Sequence, residues 1–300
     1  MEGQLYKRQV ALLLNVLPEV AKETCFALHG GTAINLFVRD MPRLSVDIDL
    51  TYIPIESRDD TLLNITQALK RIKSNIERIF HDVKVSHQQE NLKLQVSSTI
   101  AQIKVEVNQA MRGIVNESKK MSLCKVAQDE FDVFCAIQVV PFEQLYGGKI
   151  CAALDRQHPR DLFDVKYLLN NEGFTAAIKK GFLLGLLSSN RPLNEMLYPN
   201  FLDQQLAMTN QFEGMSNEPF NYHEFEETRE ALVDIIHKHL TDRDKEFLLS
   251  FKNLTPDWNI YDFEKFPAVQ WKLQNLQKLK DSNPIKYKAL FQRLKEKLNR

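Results

Sequence analysis

The sequence carries no net charge, few cysteines and no long apolar run, and each shortage removes a class of function. Lys plus Arg and Asp plus Glu both number 39, so global charge gives no argument for nucleic-acid binding, and any such affinity must come from a local patch. Only Cys25, Cys124, Cys135 and Cys151 are present, without a CxxC pair, which argues against a zinc site or a disulfide framework. They read as small core side chains of a cytoplasmic protein. No apolar run approaches the ~20 residues that span a bilayer, so no membrane partner is expected. The opening MEGQLYKRQVALLLNVLPEV is broken by Asn15 and Pro18 and has no small-residue cleavage site, so it reads as a helix rather than a signal peptide. No internal repeat is visible. Against these absences stand 300 residues that are 44% hydrophobic and 26% charged, the profile of a globular protein with a substantial core.

The first half mixes helices and strands. Residues 3–24 predict an amphipathic helix, and Cys25 to Leu28 a short buried strand. Gly30-Gly31 then turns the chain into a short helix from Thr32 to Val38. Val46 to Tyr52 alternates strictly, as a strand does. A long helix over 59–80 sets Leu62, Leu63, Ile65, Leu69, Ile72, Ile76 and Ile79 mostly on one face. Alternating strands near 82–88, 91–98 and 101–108 suggest an antiparallel meander, and another strand is expected at 133–140. From Pro141 onward only helical patterns occur, near 142–156, 159–171, 174–188, 222–240, 242–253, 267–281 and 284–299. Pro159 suits a first helical turn, and Thr241 with Asp244 suits a cap. Residues 189–221 read as the loosest stretch. The expectation is an α+β chain: a mixed-sheet α/β domain over 1–140, then a helical domain over 141–300.

Asp47 and Asp49 lie two apart on a predicted strand, so both side chains leave the same face. Carboxylates held that close repel unless a cation lies between them. Mg²⁺, which takes one or two carboxylates together with water and substrate phosphate, suits such a pair, although a plain solvent face would carry the same spacing. Upstream, His29-Gly30-Gly31-Thr32 sits between a strand and a helix start, where glycines admit close backbone approach and helix N–H groups attract phosphate. Thr32 adds a hydroxyl. In Gln102 to Asn108, Ile103, Val105 and Val107 point one way and Lys104, Glu106 and Asn108 the other. Glu106 is therefore a candidate third metal ligand or general base, or an ordinary edge glutamate.

Further along, Lys149 follows Gly147-Gly148 in a helix that ends at Arg156, and the next helix opens Arg160-Asp161-Leu162-Phe163-Asp164. Lys149, Arg156 and Arg160 offer cations for a triphosphate. Asp161 is placed to cap its helix, and Asp164 to orient an arginine or the lysine. A salt-bridged helix hairpin fits the same spacing equally well.

Taken in order, Leu28 to Leu36, Arg43 to Leu50, Lys149 to Arg156 and Arg160 to Asp164 resemble the AbiEii/AbiGii-type nucleotidyltransferase toxins of type IV toxin–antitoxin, abortive-infection systems. That family lies within the polymerase-beta-like superfamily. The motifs cover roughly residues 28–164, and the helical remainder offers none. The resemblance implies that Gly30, Gly31 and Ser45 contact the triphosphate and that Asp47 and Asp49 bind a catalytic Mg²⁺ or Mn²⁺. It implies that Lys149 holds the phosphates, with Asp164 paired to it, so that the helical domain completes the active site. Arg43 and Arg160 match basic positions of the pattern, and Glu106 falls in its weakest motif. The implied reaction transfers a nucleoside monophosphate from a nucleoside triphosphate to an acceptor, foremost the tRNA 3′ end, which arrests growth and protects a population from phage. The implied partner is an antitoxin that acts without a stable complex. A protein or small-molecule acceptor, and a nucleotide-binding regulator without catalysis, are the competing readings. A tRNA acceptor calls for a basic path, to which Lys278, Lys280, Lys286, Lys288, Arg293, Lys295, Lys297 and Arg300 could contribute; a solvated terminal helix would carry the same residues.

Overall fold

A computed structural model describes residues 2–299. The chain divides into two compact units, one formed by Met1–Leu145 with Gln205–Asn221, the other by Tyr146–Gln204 with Tyr222–Arg300.

The first unit is built on a seven-stranded mixed sheet of order β3-β4-β5-β2-β1-β7-β6. Its elements run α1 (Glu2–Val20), β1 (Phe26–His29), α2 (Gly30–Ala33, continued by a π-helical turn Ile34–Val38), β2 (Asp47–Tyr52) and α3 (Arg58–Ile79). Then come β3 (Lys84–Gln88), β4 (Lys93–Ser97), β5 (Gln102–Val107), β6 (Lys119–Ser122), α4 (Lys125–Phe131) and β7 (Ala136–Val139). Alternation decides the layering. In β5, Ile103, Val105 and Val107 are buried while Gln102, Lys104 and Glu106 are exposed. The apolar face packs on α1 and α3, whose Leu13, Leu14, Leu17, Ile65, Leu69, Ile72 and Ile76 are fully buried. Burying each such side chain contributes about 1.5–3 kcal/mol. Helix α3 starts at a Ser57 cap that accepts from the Asp60 N–H. Its expected apolar stripe is narrower than the sequence suggests, because Leu62, Leu63 and Ile79 are exposed.

Strands β3, β4 and β5 form the expected antiparallel meander. Strand β2 pairs antiparallel with β1 and parallel with β5, so it lies in the interior of the sheet. Residues 205–221 return to this unit after an excursion through the second. They carry α9 (Gln205–Gln211) and pair with the loop before β2: Arg43 bridges Ser216, and the Leu44 N–H donates to the Met215 carbonyl at 2.7 Å. The stretch expected to be loosest thus braces the approach to the carboxylate strand.

The second unit is helical. It contains most of α5 (Phe142–Arg156), then α6 (Pro159–Asn171), α7 (Ala176–Ser188), α8 (Leu193–Leu197), α10 (Tyr222–His239), α11 (Asp242–Lys252), α12 (Pro267–Ser282) and α13 (Pro284–Leu298). Pro159 opens α6, and Thr241 with Asp244 forms a reciprocal capping box on α11. Within this unit α6 packs on α10, and α12 on both α7 and α13. No helix among the described residues is long and apolar enough to cross a membrane. The four cysteines are free, and three of them are buried.

Candidate functional site

Register sets the polar face of the sheet. His29 lies opposite Asp49, Asp49 opposite Glu106, and Glu106 opposite Lys93, so one row crosses four strands. Asp47 lies one pleat away, opposite Lys104. Both aspartates are half-buried, whereas Ile48 and Leu50 point into the core. The strand is anchored by its apolar side chains, so its carboxylates are presented by residues that do not depend on them. The Glu106 carboxylate is ion-paired with Lys93 at 3.0 Å. Beside the row, His29 Nδ1 lies 3.0 Å from Thr51 Oγ1.

The glycine turn closes over this face. Gly30 has φ 71°, a left-handed conformation open to glycine, and a Cβ there would lie 2.2 Å from Asp49 Oδ2. A side chain at Gly31 would meet Arg43 Nη2 and Ser45 Oγ, each at 2.9 Å. The turn is therefore pressed against Asp49 on one side and against Arg43 and Ser45 on the other. Arg43 is buried, and its Nη1 donates to the Leu44 carbonyl at 2.9 Å. At the start of α2 no side chain caps the helix.

Thr32, assigned from sequence to the nucleotide, has its hydroxyl occupied within the protein. It is fully buried, donates to the Asp47 main-chain carbonyl at 2.5 Å and lies 3.0 Å from Ser45 Oγ. Its hydroxyl ties α2 to the first residue of the carboxylate strand. A Thr32→Val variant keeps the shape and leaves that carbonyl and Ser45 without their partner, at a cost of about 1–3 kcal/mol. The expected result is a lowered melting temperature together with lowered kcat, restored by Thr32→Ser; full activity in the valine variant would remove the positioning role.

The structure thus brings Gly30, Gly31, Thr32, Arg43, Ser45, Asp47, Asp49 and Glu106 together in the first unit. Among the described residues no group of three or more His, Cys, Asp or Glu side chains converges as a metal-binding set. The side chains here that could hold a metal are Asp47 and Asp49, with Glu106 the neighbour of Asp49 across the sheet and engaged by Lys93. A pair of carboxylates on one strand face, pressed under a glycine turn that a Cβ would fill, fits a hard divalent ion that takes its remaining ligands from water and phosphate.

Lys149, Asp164 and Arg160 belong to the second unit. Lys149 Nζ pairs with Asp161 Oδ1 at 2.9 Å and with Asp164 Oδ2 at 3.0 Å, all three side chains being buried. Arg156 grips Asp161 with both Nε and Nη2, at 2.6 and 2.9 Å. Burial would raise the Asp161 carboxyl, but the Lys149 and Arg156 charges outweigh it and hold the group well below the usual carboxylate range. Asp161, read from sequence as a helix cap, is thus the centre of the cluster. The α5–α6 turn makes this possible: Gln157 takes a left-handed φ of 49°, and its side chain bonds the Asn200 carbonyl and the Leu202 N–H. Arg160 is half-buried, and its N–H donates to His158 Nδ1.

The sequence matches no curated protein. In fold the chain is similar to MenT4, a nucleotidyltransferase toxin from Mycobacterium tuberculosis H37Rv, with a TM-score of 0.61 over 89% of this chain and 93% of that one at 13% identity. Residues 11–275 match the family described as nucleotidyl transferase AbiEii toxin, type IV TA system. That span takes in the glycine turn, the carboxylate strand and the Lys149 cluster, and the chain is a nucleotidyltransferase belonging to the AbiEii toxin family of type IV toxin–antitoxin systems.

Proposed function

We propose that the protein transfers a nucleoside monophosphate from a nucleoside triphosphate to the 3′ end of tRNA in a reaction dependent on Mg²⁺ or Mn²⁺. The observation that carries this reading is the placement of Asp47 and Asp49 on one face of β2 beneath the Gly30-Gly31 turn. Those two carboxylates would hold the metal, which when bound supplies charge neutralisation at the triphosphate. Gly30, Gly31 and Ser45 form the backbone and hydroxyl surface for phosphate, and Arg43 the fixed positive charge behind it. Lys149, held by Asp161 and Asp164, and Arg160 are assigned to the nucleotide phosphates as well. Glu106 is the base that takes the proton of the attacking hydroxyl. The acceptor oxygen bonds to the α-phosphorus as the bond to pyrophosphate breaks, and the pyrophosphate leaves in line.

In the cell this activity would block tRNA charging and arrest growth in the cytoplasm during phage infection, with an antitoxin opposing it without a stable complex. The test incubates purified protein with Mg²⁺, bulk bacterial tRNA and each α-³²P-labelled nucleoside triphosphate in turn, beside an Asp47→Ala control. Label in tRNA that depends on Asp47 supports the reading and names the donor. Label only in protein or a small molecule replaces the acceptor. Absence of label throughout a lysate, with nucleotide still bound, favours a binding regulator.

A further inference from the structure

The neutral chain is strongly segregated in charge. Residues 267–300 carry nine Lys or Arg against only Asp281 and Glu296, a net of +7, so residues 1–266 carry a net of −7. Arg300 lies outside the described residues; the rest of this segment is the hairpin of α12 and α13, packed on each other.

What sets the hairpin apart is the density of cations that no acid compensates. Lys278, Lys280, Lys286, Lys288, Arg293 and Lys295 are all exposed, and among the described residues none of them forms an ion pair. The two acids within reach are turned aside, Asp281 accepting from Gln277 and Glu296 from Gln292. Elsewhere in the same unit several surface cations are matched, as in Lys166 with Glu224, Lys180 with Asp262 and Arg191 with Asp155. A helix that only needed solvation could place Glu four residues from Lys, as the chain does at Lys73–Glu77 and Lys125–Asp129. Here Arg293 is instead followed four residues on by Lys297, a like-charge spacing that costs a few tenths of a kcal/mol. Lys286 and Arg293, and likewise Lys288 and Lys295, are seven apart, so two cationic stripes flank the buried line of Tyr287, Leu294 and Leu298.

An aromatic face accompanies the charge. Trp271 on α12 is 49% exposed, and the Lys278 ammonium lies 5.5 Å from its ring centroid. Cations interleaved with an open indole suit a polyanion whose bases can stack. A lipid surface is a poorer match, because Ala268, Val269, Leu276 and Leu294 are already buried in the fold, and Trp271 and Ile285, the large apolar side chains left exposed on α12 and α13, are too few to make an inserting stripe.

We propose that the α12–α13 hairpin is a docking surface for the phosphate backbone of RNA, holding the acceptor by charge without reading its sequence. The proposal deepens the RNA-acceptor reading of the preceding section and rests on it for its biological sense. The test measures anisotropy of fluorescent bulk tRNA without nucleotide, from 50 to 200 mM salt. It compares the full-length protein, a Lys286→Gln/Lys288→Gln/Arg293→Gln/Lys295→Gln variant and a Lys286→Arg/Lys288→Arg/Lys295→Arg variant. The glutamine variant is expected to bind roughly tenfold or more weakly and to lose about 3 from the slope of log K against log salt, at ~0.7–0.9 per phosphate contact. The arginine variant should behave as the parent. In label transfer, KM for tRNA should rise with kcat unchanged.

Equal affinity and slope for the parent and glutamine proteins would overturn the docking surface, even if label enters tRNA. Loss of binding in the arginine variant too would overturn it, because charge is then not the determinant. Binding of phosphatidylglycerol vesicles but not tRNA would overturn it in favour of a membrane. Hairpin-dependent tRNA binding with no label transferred would instead sink the acceptor reading and leave the docking surface standing.

Discussion

Asp49→Asn is expected to lower nucleotide transfer by roughly 10³-fold while leaving the fold intact. The amide is nearly isosteric, so it preserves the contact beneath Gly30, where the distance to a Cβ would be only 2.2 Å. What it removes is one of the two carboxylate charges on the β2 face. A metal at a phosphoryl centre contributes several kcal/mol of charge stabilisation, and ~4 kcal/mol corresponds to about 10³ in rate. Strand β2 is fixed by Ile48, Leu50 and Tyr52, all buried, so most of its stability comes from those apolar side chains. Melting should therefore change by no more than about 1 kcal/mol, and relief of repulsion between the two carboxylates would offset part of any loss. The measurements are label transfer and thermal unfolding on the same preparation. A variant that unfolds cooperatively at a much lower temperature would show that Asp49 is a structural residue, and one that retains activity would remove the metal from this strand. Asp47→Asn should behave alike, with an added sensitivity, because the Asp47 carbonyl is the acceptor for Thr32 and any strand shift would disturb that bond.

Much of this arrangement is legible in the sequence, and the parts that are not share a physical cause. Strict alternation over 46–52 and 101–108 gives both strands and the faces of Asp47, Asp49 and Glu106, because the two-residue period alone fixes which side each leaves. Adjacency of β2 and β5 is set by parallel pairing between segments some fifty residues apart, and no local pattern encodes it. Strand β6 is missed because KKMS is polar and mostly exposed at the sheet edge, where no apolar face is required. The brace formed by Met215 and Ser216 is missed for a related reason: main-chain bonds to the 42–44 loop leave no side-chain signature. Thr32 and Asp161 are recognisable as polar residues in suggestive places, yet their partners depend on tertiary approach. Thr32 turns inward to a carbonyl rather than outward to a ligand, and Asp161 meets Lys149 only because α5 and α6 fold back on each other at Gln157.

That Asp161 cluster carries the largest expected effect on stability. Asp161→Asn should destabilise the protein by about 3–5 kcal/mol at neutral pH, the usual cost of breaking a buried ion pair from one side. The neutral amide cannot balance Lys149, which is 7% exposed and keeps only Asp164, nor serve the bidentate grip of Arg156. Arg156 itself is 64% exposed and can be rehydrated, which places the cost toward the lower end of that range. The sign of the pH dependence follows from the depressed carboxyl. Because the folded protein holds Asp161 ionised well below the unfolded value of about 3.9, the charge stabilises the fold above roughly pH 4. That contribution is lost as the pH falls through the folded value, when the parent binds the proton as well. The difference in unfolding free energy between parent and Asp161→Asn should therefore be flat from neutrality to about pH 4–5 and shrink below it. Denaturant titrations at pH 7, 5 and 3 measure it directly; a difference that stays constant down to pH 3 would show that shape or packing, not charge, is what Asn lacks. The same cluster sets the terms for testing Lys149. Removing the lysine leaves Asp161 with Arg156 and takes the Lys149 ion pair from the buried Asp164, so lost activity in Lys149→Met speaks to phosphate binding only where calorimetry on still-folded protein also shows weakened nucleotide affinity.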